Sequence, residues 1–292
     1  MVYVLFKVRK GIPCSMRLLA ISDLHLSHSS NLDALKTLRS HGEDWLIVAG
    51  DIAEQIECYE VALKILTEKF AKVIWVPGNH ELWTVPRPHQ IAARGLERYK
   101  LLIQLAKSYG VMTPEDDYIE WPGKGVGLED RKYILAPLFL LYDYSFRPDY
   151  VSRDELRNWV REVHAECSDE LRLHYEPFSS REAWCLARCE ETERRLKLIS
   201  NEHKTILINH WPLRFDLIKI PRLPRFGPWC GTVITNNWHK RFNAAVVVTG
   251  HLHTRRTDYI DGCRFEEVSL GYKGQWNNGR GLEYYLREIL PA

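Results

Sequence analysis

Five short segments carry side chains that bind metal ions: Asp23-Leu24-His25, Gly50-Asp51, Gly78-Asn79-His80-Glu81, Asn209-His210 and Gly250-His251-Leu252-His253. Between them they offer carboxylates, imidazoles and an amide oxygen. Mixed nitrogen and oxygen donors suit zinc, manganese and iron better than calcium. Each segment follows an apolar run rich in β-branched residues, so each falls where a buried strand gives way to a loop. Loops at several strand ends can bring their side chains to one point at the edge of a sheet. Six or seven such groups would hold two ions rather than one. Two neighbouring ions are a means of transferring a phosphoryl group to water.

At these segments the chain resembles the calcineurin-like metallophosphoesterases. The pattern of that family runs D-x-H, G-D, G-N-H-[DE], a lone His, then G-H-x-H. Every position is filled here, in order, over about residues 17 to 270. The resemblance implies an α/β fold, a four-layered α/β/β/α sandwich. It implies that Asp23, His25, Asp51 and His253 hold one metal, and Asp51, Asn79, His210 and His251 the other. The expected cofactors are two divalent or trivalent ions, manganese, iron or zinc. Asp51 is the shared ligand, since a carboxylate has two oxygens. The resemblance also gives His80 a catalytic part without metal ligation, bonding the phosphate or protonating the leaving oxygen, which a histidine titrating near neutrality can do.

The two carboxylates offset the charge of two cations, and the neutral imidazoles add directional ligands. The implied reaction is in-line attack on phosphorus by a hydroxide bridging the metals, with no covalent intermediate. No Cys-x5-Arg loop and no Gly-x4-Gly-Lys-[Ser/Thr] loop is present to suggest another route.

Substrate contacts are sought among basic residues near the motifs. Arg214 follows His210, Arg255 and Arg256 follow His253, and His28 lies just beyond the first motif. Guanidinium groups fit phosphate oxygens. Arg222 and Arg225 share a proline-rich stretch with Phe226 and Trp229, which suggests a wall of a pocket. Trp83, Trp211, Trp229 and Trp276 all adjoin motif loops, and most should serve as packing. The substrate expected is a small phosphorylated metabolite or a nucleotide. A nuclease shares this metal core, but a net charge of +2 gives no electrostatic footprint for nucleic acid. A non-catalytic scaffold would have lost ligands, and none is missing. Oligomeric state is left open.

The elements around the motifs follow a regular order. Arg17–Ser22, Trp45–Ala49 and Val73–Val76 read as buried strands. Helical spacing between them gives β-α-β-α-β with parallel strands. Gly95–Ser108 reads as a helix. Tyr118–Trp121, Gly125–Leu128 and Tyr133–Leu138 read as strands of a second sheet, joined by Thr205–Ile208 and Ala245–Val248. Arg256–Ile260 and Arg264–Val268 flank Asp261-Gly262, a hairpin-turn pair. Residues 146–203 form a charged, helix-rich insertion without motif residues, centred on Asp154–Glu166 and Ser179–Ile199 around Pro177. It is read as a possible cap over the site.

At 292 residues and 45% hydrophobic content, the chain can fill one core. A single domain over residues 1–292 is expected, with 1–15 as an N-terminal extension. Its seven cysteines have no framework spacing and read as reduced thiols. No stretch approaches the ~20 apolar residues of a membrane helix, and no signal peptide opens the chain. A cytoplasmic protein without membrane partners is expected.

Overall fold

The structure, a computed structural model, describes residues 16–85, 92–123, 132–221 and 223–291. The expected strand Gly125–Leu128 and the extension 1–15 lie outside the described residues.

The first sheet holds β1 (Leu18–Ile21), β2 (Trp45–Val48) and β3 (Lys72–Trp75) in parallel register. Each is a short apolar run bounded by polar loops, as buried parallel strands require. The crossovers are α1 (Ser29–Lys36) and α2 (Ile56–Lys69). After β3 come α3 (Asn79–Leu82) and α4 (Gly95–Ser108). The second sheet is entered through β4 (Ile119–Glu120), antiparallel to β5 (Tyr133–Pro137). The insertion follows as α5 (Leu156–Arg161), α6 (Asp169–Arg172) and α7 (Arg181–Leu196). Then β6 (Lys204–Ile208), α8 (Trp238–Arg241), β7 (Ala244–Thr249), β8 (Arg256–Ile260) and β9 (Cys263–Glu267) complete the larger sheet in the order β4-β5-β6-β7-β9-β8. The chain returns to the first sheet as β10 (Arg287–Leu290), antiparallel to β1.

Alternation of side chains along each strand makes the sandwich. Leu18, Ala20, Ile47 and Ile74 face Leu135, Ile206, Val246 and Val248 between the sheets. Leu19, Leu46, Val48 and Val73 turn outward to join Tyr59, Leu63 and Leu66 of α2, while Leu207 and Val247 turn outward to join Trp184 and Cys189 of α7. The chain is thus a four-layered α/β/β/α sandwich. The hairpin expected at Asp261-Gly262 forms, with both residues at positive φ, 53° and 76°.

The departures are local. The helix expected over Asp154–Glu166 ends early, near a left-handed residue at His164 (φ 54°). The helix expected over Ser179–Ile199 begins at Arg181, where Ser180 Oγ accepts the Ala183 N–H and caps it. The expected strand Tyr118–Trp121 contracts to Ile119–Glu120. β10 was not foreseen, because four residues with two charges give no strand signal.

Candidate metal centre

All five motif segments leave carboxyl ends of strands in the two sheets and meet above them. Asp23 follows β1, Asp51 follows β2, Asn79 follows β3, His210 follows β6, and His251 and His253 follow β7. Backbone bonds lace these loops together: Asp23 N–H donates to Gly50 O at 2.9 Å, His25 N–H to Asp51 O at 3.0 Å, and Gly250 N–H to His210 O at 2.9 Å. Among the described residues ten non-glycine residues have positive φ, and five of them are Asp23, His25, Asp51, His251 and His253. Such backbone is held only where its surroundings demand it, and it concentrates at working sites. The motif glycines answer to the same crowding. A Cβ on Gly50, itself at φ 85°, would lie 2.5 Å from His210 Nδ1, and one on Gly78 would collide with the Asp51 carboxylate.

The donor atoms converge. His253 Nε2 lies 2.9 Å from Asp23 Oδ1 and 3.1 Å from His25 Nε2. His210 Nε2 lies 3.4 Å from Asp51 Oδ2, 3.2 Å from Asn79 Oδ1 and 3.2 Å from His251 Nδ1. Three groups have donor atoms within 4.8 Å of one another: Asp23-His25-His253, Asp23-Asp51-His210 and His25-Asp51-His80. Asp51 belongs to the second and third, midway between the two ends of the cluster.

The donors are buried, with Asp23, His25 and His210 at 0% exposure. Uncompensated carboxylates cannot be hidden cheaply, so the arrangement fits cations. Imidazole orientation is fixed from behind, as in metal sites generally. His210 Nδ1 faces Ala49 O at 2.8 Å, and His253 Nδ1 faces Gln275 Oε1 at 2.8 Å. Each leaves its Nε2 turned into the cluster.

Electrostatics follow from this crowding. Burial lowers His210, but the charges of Asp51 and Asp23 outweigh it and lift it to about 10. Burial likewise lowers His253, but the charge and hydrogen bond of Asp23 outweigh it and lift it to about 9. Burial and the neighbouring positive rings drop His25 and His251 to about 3. Asp51 is held well below the ordinary carboxylate range despite burial, by His210 and His80.

His80 sits differently. Its backbone N–H donates to Asp51 Oδ1 at 2.9 Å, while its buried ring lines the cavity, Nδ1 bonding Glu54 Oε1 at 2.6 Å and Nε2 lying 3.2 Å from the Tyr272 hydroxyl and 3.8 Å from Asp51 Oδ2. Burial opposes its protonation, but Asp51 and Glu54 raise it above the usual value. Burial is likewise overcome at Glu54, which the His80 and Ser27 bonds hold down at about 2. Tyr272 stacks on His25 at 4.2 Å between ring centroids.

Glu81 is a brace. It accepts N–H bonds from Asp51, Ile52 and Gly78, and a longer one from the Trp75 indole.

A cavity of about 610 Å³ opens over the cluster. Its lining includes Asp51, Asn79, His80, His251, His253, Tyr272 and Gln275, with Ile220, Pro221, Leu223, Phe226 and Leu252 on an apolar side. Glu166, Cys167, Ser168 and Asp169 of the insertion also line it. The proline-rich stretch does form a wall, tied to α5 by Arg225, whose Nη1 bonds Glu162 at 2.6 Å. Arg222 lies outside the described residues.

Neither Arg214 nor Arg255 lines this cavity. The guanidinium of Arg214 forks onto Asp216 at 2.9 and 2.6 Å. Arg255 donates to the backbone oxygens of Val268 and Tyr285, and borders a separate polar recess with Arg264 and Arg287. His28 is exposed; its ring meets Tyr272 edge-on, 5.6 Å between centroids, and its backbone N–H donates to His25 O at 3.0 Å. None of these three expected substrate contacts lines the cavity over the cluster. Glu54, Asp169, Tyr272 and Gln275 were missed.

Comparison with known proteins agrees with this geometry. The family model described as calcineurin-like phosphoesterase matches residues 16–255. The chain belongs to that family. It is accordingly a metal-dependent phosphoric ester hydrolase. Among curated proteins, the [acyl-carrier-protein] phosphodiesterase PptH of Mycobacterium tuberculosis is 43% identical over 275 residues, which cover 93% of this chain and 82% of that protein. The crystal structure of phosphopantetheinyl hydrolase (PptH) from the same organism superposes with a TM-score of 0.88 at 42% identity, covering 96% of this chain and 98% of that one. No helix among the described residues is long and apolar enough to cross a membrane.

Proposed function

We propose that this chain is a two-metal phosphodiesterase that releases a phosphopantetheine-type arm from a carrier protein. One observation carries the reading: the cavity has a metal-binding end and an apolar side, and among the described residues no lysine or arginine lines it. A phosphomonoester dianion is commonly held by guanidinium forks. Here Glu166 and Asp169 stand in the lining instead. A singly charged diester with a long, weakly polar arm suits such a cleft better. The arm would lie along Ile220, Leu223, Phe226 and Leu252, where burial of apolar surface favours it. The name of the one relative above 40% identity, matched both in sequence and in its crystal structure, supports the same chemistry.

In this reading Asp23, His25, Asp51 and His253 hold one ion of manganese, iron or zinc. Asp51, Asn79, His210 and His251 hold a second. Bound there, the pair supplies an activated water and takes up charge on the phosphoryl oxygens. The chain's own residues do the rest. Glu54 keeps His80 protonated and turns its Nε2 toward the leaving oxygen. The Tyr272 hydroxyl holds that nitrogen in place from the cleft side. Residues 166–169 of the insertion act as a partial cap that admits the arm, whereas α7 packs on the sandwich. Six free thiols among the described residues fit a reducing, cytoplasmic setting.

The test is to incubate manganese-loaded protein with a phosphopantetheinylated acyl carrier protein and follow its mass. Release of the phosphorylated arm, leaving the carrier's hydroxyl free, is expected. Bis-p-nitrophenyl phosphate should be cut faster than p-nitrophenyl phosphate. An intact carrier and a preference for the monoester would refute the proposal.

A further inference from the structure

We infer that Asp169, carried by the insertion, is a positioning residue for Asn79: it sets which end of that amide faces the metal cluster, so that docking of the insertion completes the centre. The inference rests on the reading of Asn79 as a ligand.

An asparagine amide has two ends of similar shape and opposite polarity. Only the oxygen can bind a cation. Asn79 Oδ1 is turned toward His210 Nε2, 3.2 Å away, inside the donor cluster. Its Nδ2 donates to Asp169 Oδ1 at 3.0 Å. The same carboxylate oxygen accepts the Trp83 indole N–H at 2.6 Å. An ionised carboxylate only accepts hydrogen bonds. A flipped amide would place oxygen against oxygen there and point its NH₂ at the ligands. Asp169 therefore admits one orientation.

Asp169 is fully buried, 90 residues away in sequence from the amide it bonds. A buried carboxylate without this use would be a liability. Its backbone is held in turn. Arg181 donates through Nη2 to Asp169 O at 2.7 Å and through Nε to Leu173 O at 2.8 Å. The Thr84 N–H donates to Arg172 O at 2.9 Å. So α6 is stitched to the chain just beyond the ligand, and the carboxylate cannot drift from Asn79. Partners that orient metal ligands are worth roughly 10–100-fold in metal affinity.

The experiment titrates manganese into chelator-stripped full-length protein, following bound metal by calorimetry and by the spin-coupled signal of paired Mn(II). Wild type should take up two ions. If it does not, the ligand reading itself fails, before Asp169 is in question. Asp169→Ala should weaken one of the two ions about 10–100-fold and spare the other, replacing the coupled signal by that of isolated manganese. Asp169→Asn retains an acceptor oxygen and should stay within a few-fold of wild type. The exchange N79D/D169N restores the bond to residue 79 with its polarity reversed, leaving the Trp83 indole N–H without that acceptor, and should recover the coupled signal in part even if Asp169→Ala fails to fold. Two ions bound with wild-type affinity by Asp169→Ala would overturn the inference. So would equal loss of both ions with no recovery in the exchange, which would make Asp169 a packing residue only.

Discussion

Glu81→Gln isolates the brace behind the metal loops. The carboxylate has two oxygens, and each accepts two donors. Oε2 takes the N–H groups of Asp51 (2.9 Å) and Gly78 (3.0 Å). Oε1 takes Ile52 N–H (2.7 Å) and the Trp75 indole N–H at a weaker 3.4 Å. Glutamine keeps one acceptor oxygen and turns an NH₂ toward the other pair. The cheaper choice retains the Asp51 and Gly78 bonds and abandons Ile52 and Trp75. One well-made donor and one marginal one are then orphaned in a site with 0% exposure. A buried donor left without a partner costs about 1–3 kcal/mol. The sum is about 2–4 kcal/mol, or a melting temperature lowered by roughly 3–7 °C for a chain of this size. Burial and the Asp51 charge push the Glu81 carboxyl up to about 7 in the metal-free protein, so the comparison belongs at pH 8, where it is ionised. Calorimetric melting in chelator would measure it, and manganese binding should weaken in parallel because Asp51 hangs from the brace. A variant within about 0.5 kcal/mol of wild type, the usual range for an inconsequential surface change, would refute the reasoning.

Other expectations follow from the same geometry. His80→Ala should keep its metals and lose about 10²–10⁴ in turnover, the usual worth of general acid catalysis; metal loss on elemental analysis would deny His80 its separate role. Tyr272→Phe preserves the ring stacked on His25 and removes one hydrogen bond to His80, so kcat should fall roughly 10-fold with metal content unchanged. Metal uptake should release protons and tighten as pH rises from about 6 to 9. The sign follows from His210 and His253, lifted to about 10 and about 9 in the metal-free site, whose protons must leave before they can ligate. A pH-stat record of manganese binding with no proton release would contradict it.

The sandwich was legible because β1, β2, β3, β6 and β7 are short apolar runs, each followed closely by a motif residue. The convergence of the motif side chains was legible for a related reason: strand ends on adjacent strands place their loops side by side. What escaped lies where tertiary packing, not local pattern, brings residues together. Asp169 sits in a charged stretch resembling any solvated helix, yet it is fully buried against Asn79. Tyr272 and Gln275 follow β9 with no motif around them. Glu54 stands three residues beyond Asp51 and could have been suspected as a partner for His80. Arg214 and Arg255 show the converse, lying outside the cavity over the cluster. Their charge and position suggested phosphate, but Asp216 and two backbone carbonyls had already taken their guanidinium groups. The insertion divides, residues 166–169 turning into the cavity and α7 burying Trp184 and Cys185 in the sandwich. Sequence could not apportion it because both parts are amphipathic and neither carries a motif.

The central claim is that one carboxylate, Asp51, joins two metal positions built from the seven predicted ligands. Anomalous diffraction from crystals of manganese-loaded protein tests it most directly. The account predicts two peaks about 3.5 Å apart, the spacing of two-metal hydrolases. Asp51 should touch both, with Asp23, His25 and His253 on one side and Asn79, His210 and His251 on the other. A single peak in fully loaded crystals, or two that Asp51 does not bridge, would contradict it.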